Sequence, residues 1–266
     1  MSHSKIISFI FISLLLNACG GSTGNTNTTN TSNKLVTQVL VDYGNNGEID
    51  TIKDYEYDEN GNLLFLRTDT GNDGDYDTVM EYAYDNQNNR IKQTRWIDKA
   101  RIRAEEVLKT YDSNNNMLTN DITDYLNGFS EYNTYTYSGN KIATRRITSS
   151  DNTSIYTYFY TGNVLDIHQD INNDGELDYI ETINYDGKGN IIQSGMYNPD
   201  GTLSTSFTGK IQTFSYDEHQ NILISGTLSG TIHYRHTYTY DSNGNMLTHL
   251  FQPTGGTISL LTYLYD

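Results

Sequence analysis

A single cysteine in 266 residues, Cys19, excludes a disulfide framework and a zinc site built on cysteines. Basic residues are scarce: 17 Lys and Arg stand against 33 Asp and Glu, a formal net charge of -16. That argues against nucleic acid, because phosphate backbones need clustered cations. Leu, Ile, Val and Phe make up about a fifth of the chain beyond Cys19, near the level at which a chain struggles to build a core. No glycine-rich phosphate loop, G-x-S-x-G or H-E-x-x-H occurs. Paired carboxylates are numerous but track the turns, so a non-catalytic role is expected. His233 and His236, three apart on an expected strand, point to opposite faces and do not suggest a shared metal. What is abundant is tyrosine, 23 against 8 Phe and 1 Trp, and glycine, 22 against 2 Pro. Tyr favours strands and brings a large apolar ring. Gly, Asn, Asp and Thr supply turn chemistry many times over. The composition predicts an all-β protein cored by tyrosine.

Behind Lys5, the apolar run Ile6–Leu16 is broken only by Ser8 and Ser13. Eleven residues are too few to span a bilayer as a helix but suit a secretory signal. The run ends in Leu16-Asn17-Ala18-Cys19, which resembles the bacterial lipobox. The resemblance implies a signal peptide over 1–18, lipidation at Cys19 and a membrane anchor. Gly20, in place of Asp, implies the outer membrane. Residues 20–33 carry no charge and no large apolar side chain, so 19–33 reads as the lipidated cysteine plus a flexible linker. The folded domain is expected over 34–266.

That domain repeats. Tyr55-Glu-Tyr-Asp-Glu-Asn-Gly-Asn-Leu-Leu64 returns as Tyr82–Ile91, Lys109–Leu118, Tyr135–Ile142, Tyr158–Leu165, Ile183–Ile192, Phe214–Leu223 and Tyr238–Leu247. Tyr55 and Tyr57, two apart, share one strand face. The residues from Asp58 to Asn62 make a turn and Leu63 restarts a strand. Each repeat is two strands and two turns, with connections too short for parallel crossovers. The pattern Tyr-x-Tyr-Asp-x-x-Gly-Asn-Leu resembles the YD repeat of the Rhs family. It implies consecutive antiparallel hairpins in a curled or spiral sheet. A β-propeller-like arrangement is the alternative. Tyr57, Tyr84, Tyr111, Tyr137, Tyr160, Tyr185, Tyr216, Tyr240 and Tyr265 are expected on one face.

A second motif occupies the other turn of the repeat. Asp42–Asp50, Asp69–Asp77 and Asp170–Asp178 each place oxygen donors at positions 1, 5 and 9 around a glycine at 6. Such spacing suits calcium. It resembles the loops of FG-GAP repeats, which implies ligation by Asp170, Asn172, Asp174, the Glu176 carbonyl and Asp178. The weaker copies offer Asp69, Asp73, Asp75 and Asp77, and Asp42, Asn46, Glu48 and Asp50. Gly44 and Gly71 replace the ligand at position 3. One cationic run, Arg90, Lys92, Arg95, Lys99, Arg101 and Arg103, reads as a charged strand face that discourages edge pairing. It is alternatively a dock for an anionic headgroup or polysaccharide.

Together these features predict a membrane-anchored, non-catalytic binding or adhesion module for a glycan or protein ligand, with calcium as its cofactor and no nucleic-acid partner. The alternatives are a glycan-active hydrolase and an accessory or remnant of an Rhs-type toxin system.

Overall fold

The computed structural model describes residues 34–205 and 211–265; the signal segment, Cys19 and the linker lie outside them. The described residues form strands and turns without a helix. The first six strands are β1 (Val36–Tyr43), β2 (Thr51–Tyr57), β3 (Leu63–Thr70), β4 (Thr78–Tyr84), β5 (Arg90–Ile97) and β6 (Ile102–Tyr111). Then come β7 (Met117–Asp124), β8 (Phe129–Ser138), β9 (Lys141–Ser149), β10 (Thr153–Thr161), β11 (Val164–Asp170) and β12 (Tyr179–Tyr185). The last six are β13 (Ile191–Tyr197), β14 (Gln212–Tyr216), β15 (Ile222–Thr227), β16 (Ile232–Tyr240), β17 (Met246–Pro253) and β18 (Ser259–Tyr265).

Each strand pairs antiparallel with the next, and β18 pairs with β1, Tyr263 opposite Val39 and Leu261 opposite Val41. The 18 strands therefore close into an up-and-down barrel. This corrects the expectation of a curled or spiral sheet and of a propeller. Closure pairs the N–H and C=O groups that an open sheet would leave on two edges. Its means is a recurring β-bulge. Opposite Tyr57, Tyr84, Tyr111, Tyr137, Tyr185, Tyr216 and Tyr240 the partner strand carries one extra residue. A bulge bends and twists its strand. Repeating it at one level coils the sheet in one sense until its edges meet.

The alternation of side chains follows directly from the sequence. In β2, Thr51, Lys53, Tyr55 and Tyr57 share one face, and Ile52, Asp54 and Glu56 the other. Burial distinguishes the two: Thr51 is buried, Tyr55 and Tyr57 half-buried, Glu56 exposed. No second layer covers either face among the described residues, so the less accessible face is the interior. All nine repeat tyrosines lie on it. Six of them clasp the barrel end. The phenols of Tyr57, Tyr84, Tyr111, Tyr137, Tyr216 and Tyr265 donate to the carbonyl of the residue that opens the preceding strand, at 2.6–3.1 Å. In the eighth repeat Tyr238 takes that place on Ile222, and Tyr240 turns to the Asp217 carboxylate.

Eighteen strands about 4.8 Å apart and tilted by about 40° make a circular ring of roughly 35 Å diameter, wider than side chains fill. Each strand accordingly touches only its two neighbours. The buried apolar cluster is small and lies in the wall: Tyr156, Leu165, Ile167 and Ile183, with Ile147, Tyr158, Tyr185 and Ile191 against it. Burial of this face pushes Tyr55 and Tyr158 up to about 12.

Candidate functional site

The hairpin turns gather at two rims. At one rim stand the Tyr-Asp turns. The Asp58 carboxylate accepts the backbone N–H of Asn60 and Asn62 and the Asn62 side-chain amide, at 2.8–2.9 Å. Asp85, Asp112 and Asp241 repeat this arrangement. The asparagine amide holds each of these carboxyls below the usual carboxylate range. Asn62 and Asn89 also donate to Asn88 and Asn115 of the next turn at 3.0 Å, linking turns around the rim.

The three acidic loops stand at the opposite rim and share left-handed backbone at positions 4 and 6. The residue at position 4, Asn45, Asn72 or Asn173, has φ of 53–55°, and the glycine at position 6, Gly47, Gly74 or Gly175, has φ of 89–90°. Asn at position 4 is a signal the sequence reading passed over: it tolerates the left-handed conformation the loop requires. Asp42, Asp69 and Asp170 each accept the N–H groups of positions 5 and 6. Asp50, Asp77 and Asp178 accept the N–H of position 2 at 2.7 Å. Asn46, Asp73 and Asp174 accept the N–H of position 7, which belongs to Glu48, Asp75 or Glu176. In the third loop the Asn172 amide donates to Asp174 at 2.7 Å. The donor chemistry, oxygen only, suits calcium. The arrangement closes on the chain's own N–H groups, and no three His, Cys, Asp or Glu side chains converge to hold a metal among the described residues.

The cationic run does not form one face. Arg90 and Arg95 point inward. Lys92 points outward to Glu106 at 2.7 Å, Lys99 pairs with Asp75 at the rim, and Arg101 sits in a turn at φ 51°. Arg103 lies over Trp96 and Tyr125 at 5.4 and 5.5 Å. The bulge at Ile91, between β4 and β5, sets Arg90 and Lys92 on opposite faces, and a second, at Ala104 between β5 and β6, resets the alternation of β6.

The inner wall carries polar groups that no motif announced. Asn133 is fully buried; its amide donates to Glu131 and to the Asn120 carbonyl, and its oxygen accepts twice from Arg145 at 2.7 and 2.9 Å. The Arg145 guanidinium stands 3.7 Å from Glu131 and lies between the rings of Tyr135 and Tyr156. Across β16 and β17, His236 bonds His249 at 2.8 Å within a stack of Tyr238 and Phe251. Burial pushes both imidazoles down, His249 to about 4 with His236 adding to the effect. The partner of His236 is thus His249, not His233. Burial also raises the Glu181 carboxyl.

No family model matches the chain, and no curated protein matches it. Among solved structures it is similar to a porin-like protein from Bacteroides uniformis, at 13% identity and TM-score 0.43, over 87% of this chain and 98% of that one. A porin-like protein from Bacteroides vulgatus matches over the same shares at 12% identity and TM-score 0.37. TcdB2-TccC3 matches at 13% identity and TM-score 0.37, over 82% of this chain and 14% of that one.

Proposed function

We propose that the protein is a lipid-anchored, non-catalytic barrel of the bacterial outer membrane that binds a glycan against its tyrosine-bearing inner wall. The polarity of the wall carries this reading. A barrel that crosses a membrane turns an apolar band outward, and each Arg or Lys at the bilayer midplane costs about 2–4 kcal/mol. Here Glu56, Arg67, Glu81, Lys92, Glu106 and Arg146 point outward while the repeat tyrosines point inward. The strands are those of a water-soluble barrel, so membrane attachment falls to Cys19. The Tyr-Asp repeat supports kinship with YD-repeat sheets. Half-buried phenol rings offer apolar area with a polar tip. A glycan array with product analysis tests the reading: binding without turnover is expected. Tyr160, which faces inward and is 38% exposed, should when changed to alanine weaken binding several-fold. Phe159→Ala, on the outer face, should leave it unchanged. Turnover lost on changing one carboxylate would favour a hydrolase instead.

We also propose that the rim loops take calcium, supported by the charge of Asp170, Asp174, Glu176 and Asp178 crowded into nine residues. An ion that binds only the folded state stabilises it by about 2.7 kcal/mol at a hundredfold excess over Kd. The unfolding midpoint should rise in millimolar calcium over EDTA, with magnesium as control, and Asp174→Ala should remove much of the rise. Equal midpoints would leave the loops as metal-free turns.

A further inference from the structure

Arg90 and Lys109 stand side by side on the inner wall. Arg90 opens β5 opposite Tyr84. Lys92 pairs with Leu108, so Lys109 falls beside the bulge that follows Arg90, on the tyrosine face of β6. Both side chains are half-buried. Some cations of the outer face and rims have partners, Arg67 with Glu56, Lys92 and Arg103 with Glu106, Lys99 with Asp75, while Arg146 and Arg235 reach open solvent without one among the described residues. Inside, Arg145 has Glu131. Among the described residues neither Arg90 nor Lys109 has a carboxylate within 4.0 Å. Arg90 lies over the Tyr82 ring at 5.4 Å. The nearby turn carboxylate, Asp85, is committed to Gln87 and Asn89. Burial, and then Arg90, push the Lys109 ammonium below its ordinary range. Directly opposite Lys109, Asn120 has a buried side-chain oxygen without a hydrogen-bond partner.

Two adjacent cations of one sign, partly withdrawn from water, are costly without a counter-charge. A buried acceptor without a donor is a second uncompensated group. The Asn120 oxygen is closed off from the lumen, but the two cations are open to one remedy, an anionic ligand. We propose that Arg90 and Lys109 bind the carboxylate of a sugar acid on the inner wall. The inference rests on the inner-wall glycan reading and narrows it to acidic glycans. The Tyr82 ring beside Arg90 provides an apolar surface for the sugar face.

The test is calorimetric titration of the full chain with a polyuronate oligosaccharide, the matching neutral oligosaccharide and inorganic phosphate. The polyuronate should bind at least about tenfold more tightly than the neutral sugar, the size of one charge-assisted hydrogen bond. Arg90→Gln and Lys109→Met should each remove about that factor, and Lys109→Arg should retain binding. Arg67→Gln, on the outer face, should bind as the unaltered chain does. Circular dichroism checks the fold; where Lys109→Met is unfolded, Arg90→Gln decides. Equal binding of neutral and acidic sugars overturns this inference and leaves inner-wall glycan binding standing. Absence of any sugar binding removes both. Unaltered affinity in Arg90→Gln, or phosphate competing as effectively as the polyuronate, also overturns it.

Discussion

Replacing Arg145 with methionine is expected to destabilise the barrel by about 3 kcal/mol, the cost of leaving a buried ionic partner uncompensated. For a domain of this size that lowers the unfolding midpoint by roughly 6–12 °C. Methionine fills much of the space between Tyr135 and Tyr156, so cavity formation contributes little. What is lost is polar: the Asn133 oxygen, fully buried, loses both of its donors, and Glu131 loses its cation. A buried acceptor without a donor costs about 1–3 kcal/mol by itself. Changing Glu131 to Gln in the same chain should return part of the loss, because the orphaned charge disappears. Thermal unfolding of the single and double variants measures both. A midpoint within 2 °C of the unaltered protein (less than about 1 kcal/mol) would show that water reaches the cluster.

Cys19→Ser is expected to abolish detergent partitioning altogether and to leave uncleaved or soluble protein. Cys19 is the chain's only thiol, and acyl chains on it, as proposed, would contribute about 0.8 kcal/mol for each buried CH₂. The outward charges on the strands provide no substitute for the anchor. Phase separation of membrane fractions from the two forms is the measurement. A serine variant that stays in the detergent phase would mean that the barrel itself enters the membrane, and the polarity argument would fall with it.

The repeat grammar was legible because each of its parts is local. Tyr55 and Tyr57 two apart, a turn from Asp58 to Asn62 and an aliphatic restart specify a hairpin without reference to anything distant. The acidic loops were legible in the same way, as turns; the left-handed Asn45, Asn72 and Asn173 stand in the sequence in plain view. Their hydrogen bonds were not, because the same carboxylate spacing serves either an ion or a backbone N–H. The cationic run from Arg90 to Arg103 was misread as one face. A single bulged residue reverses which side a strand turns outward, and the spacing of charges does not record it.

By itself the sequence determined antiparallel hairpins, their register within a repeat and the tyrosine face, since these depend on period-two alternation and on turn residues a few positions apart. Only the tertiary structure decided that β18 meets β1, that the tyrosines face inward, and that Asn133 finds Arg145, His236 finds His249, and Arg90 lies beside Lys109. Closure depends on the accumulated twist of 18 strands and of the 7 bulges opposite the repeat tyrosines, to which each repeat contributes a small rotation. No single repeat carries that sum. The contacts on the inner wall join consecutive strands, so they follow from hairpin register and its bulges, which the spacing of residues along the chain does not record.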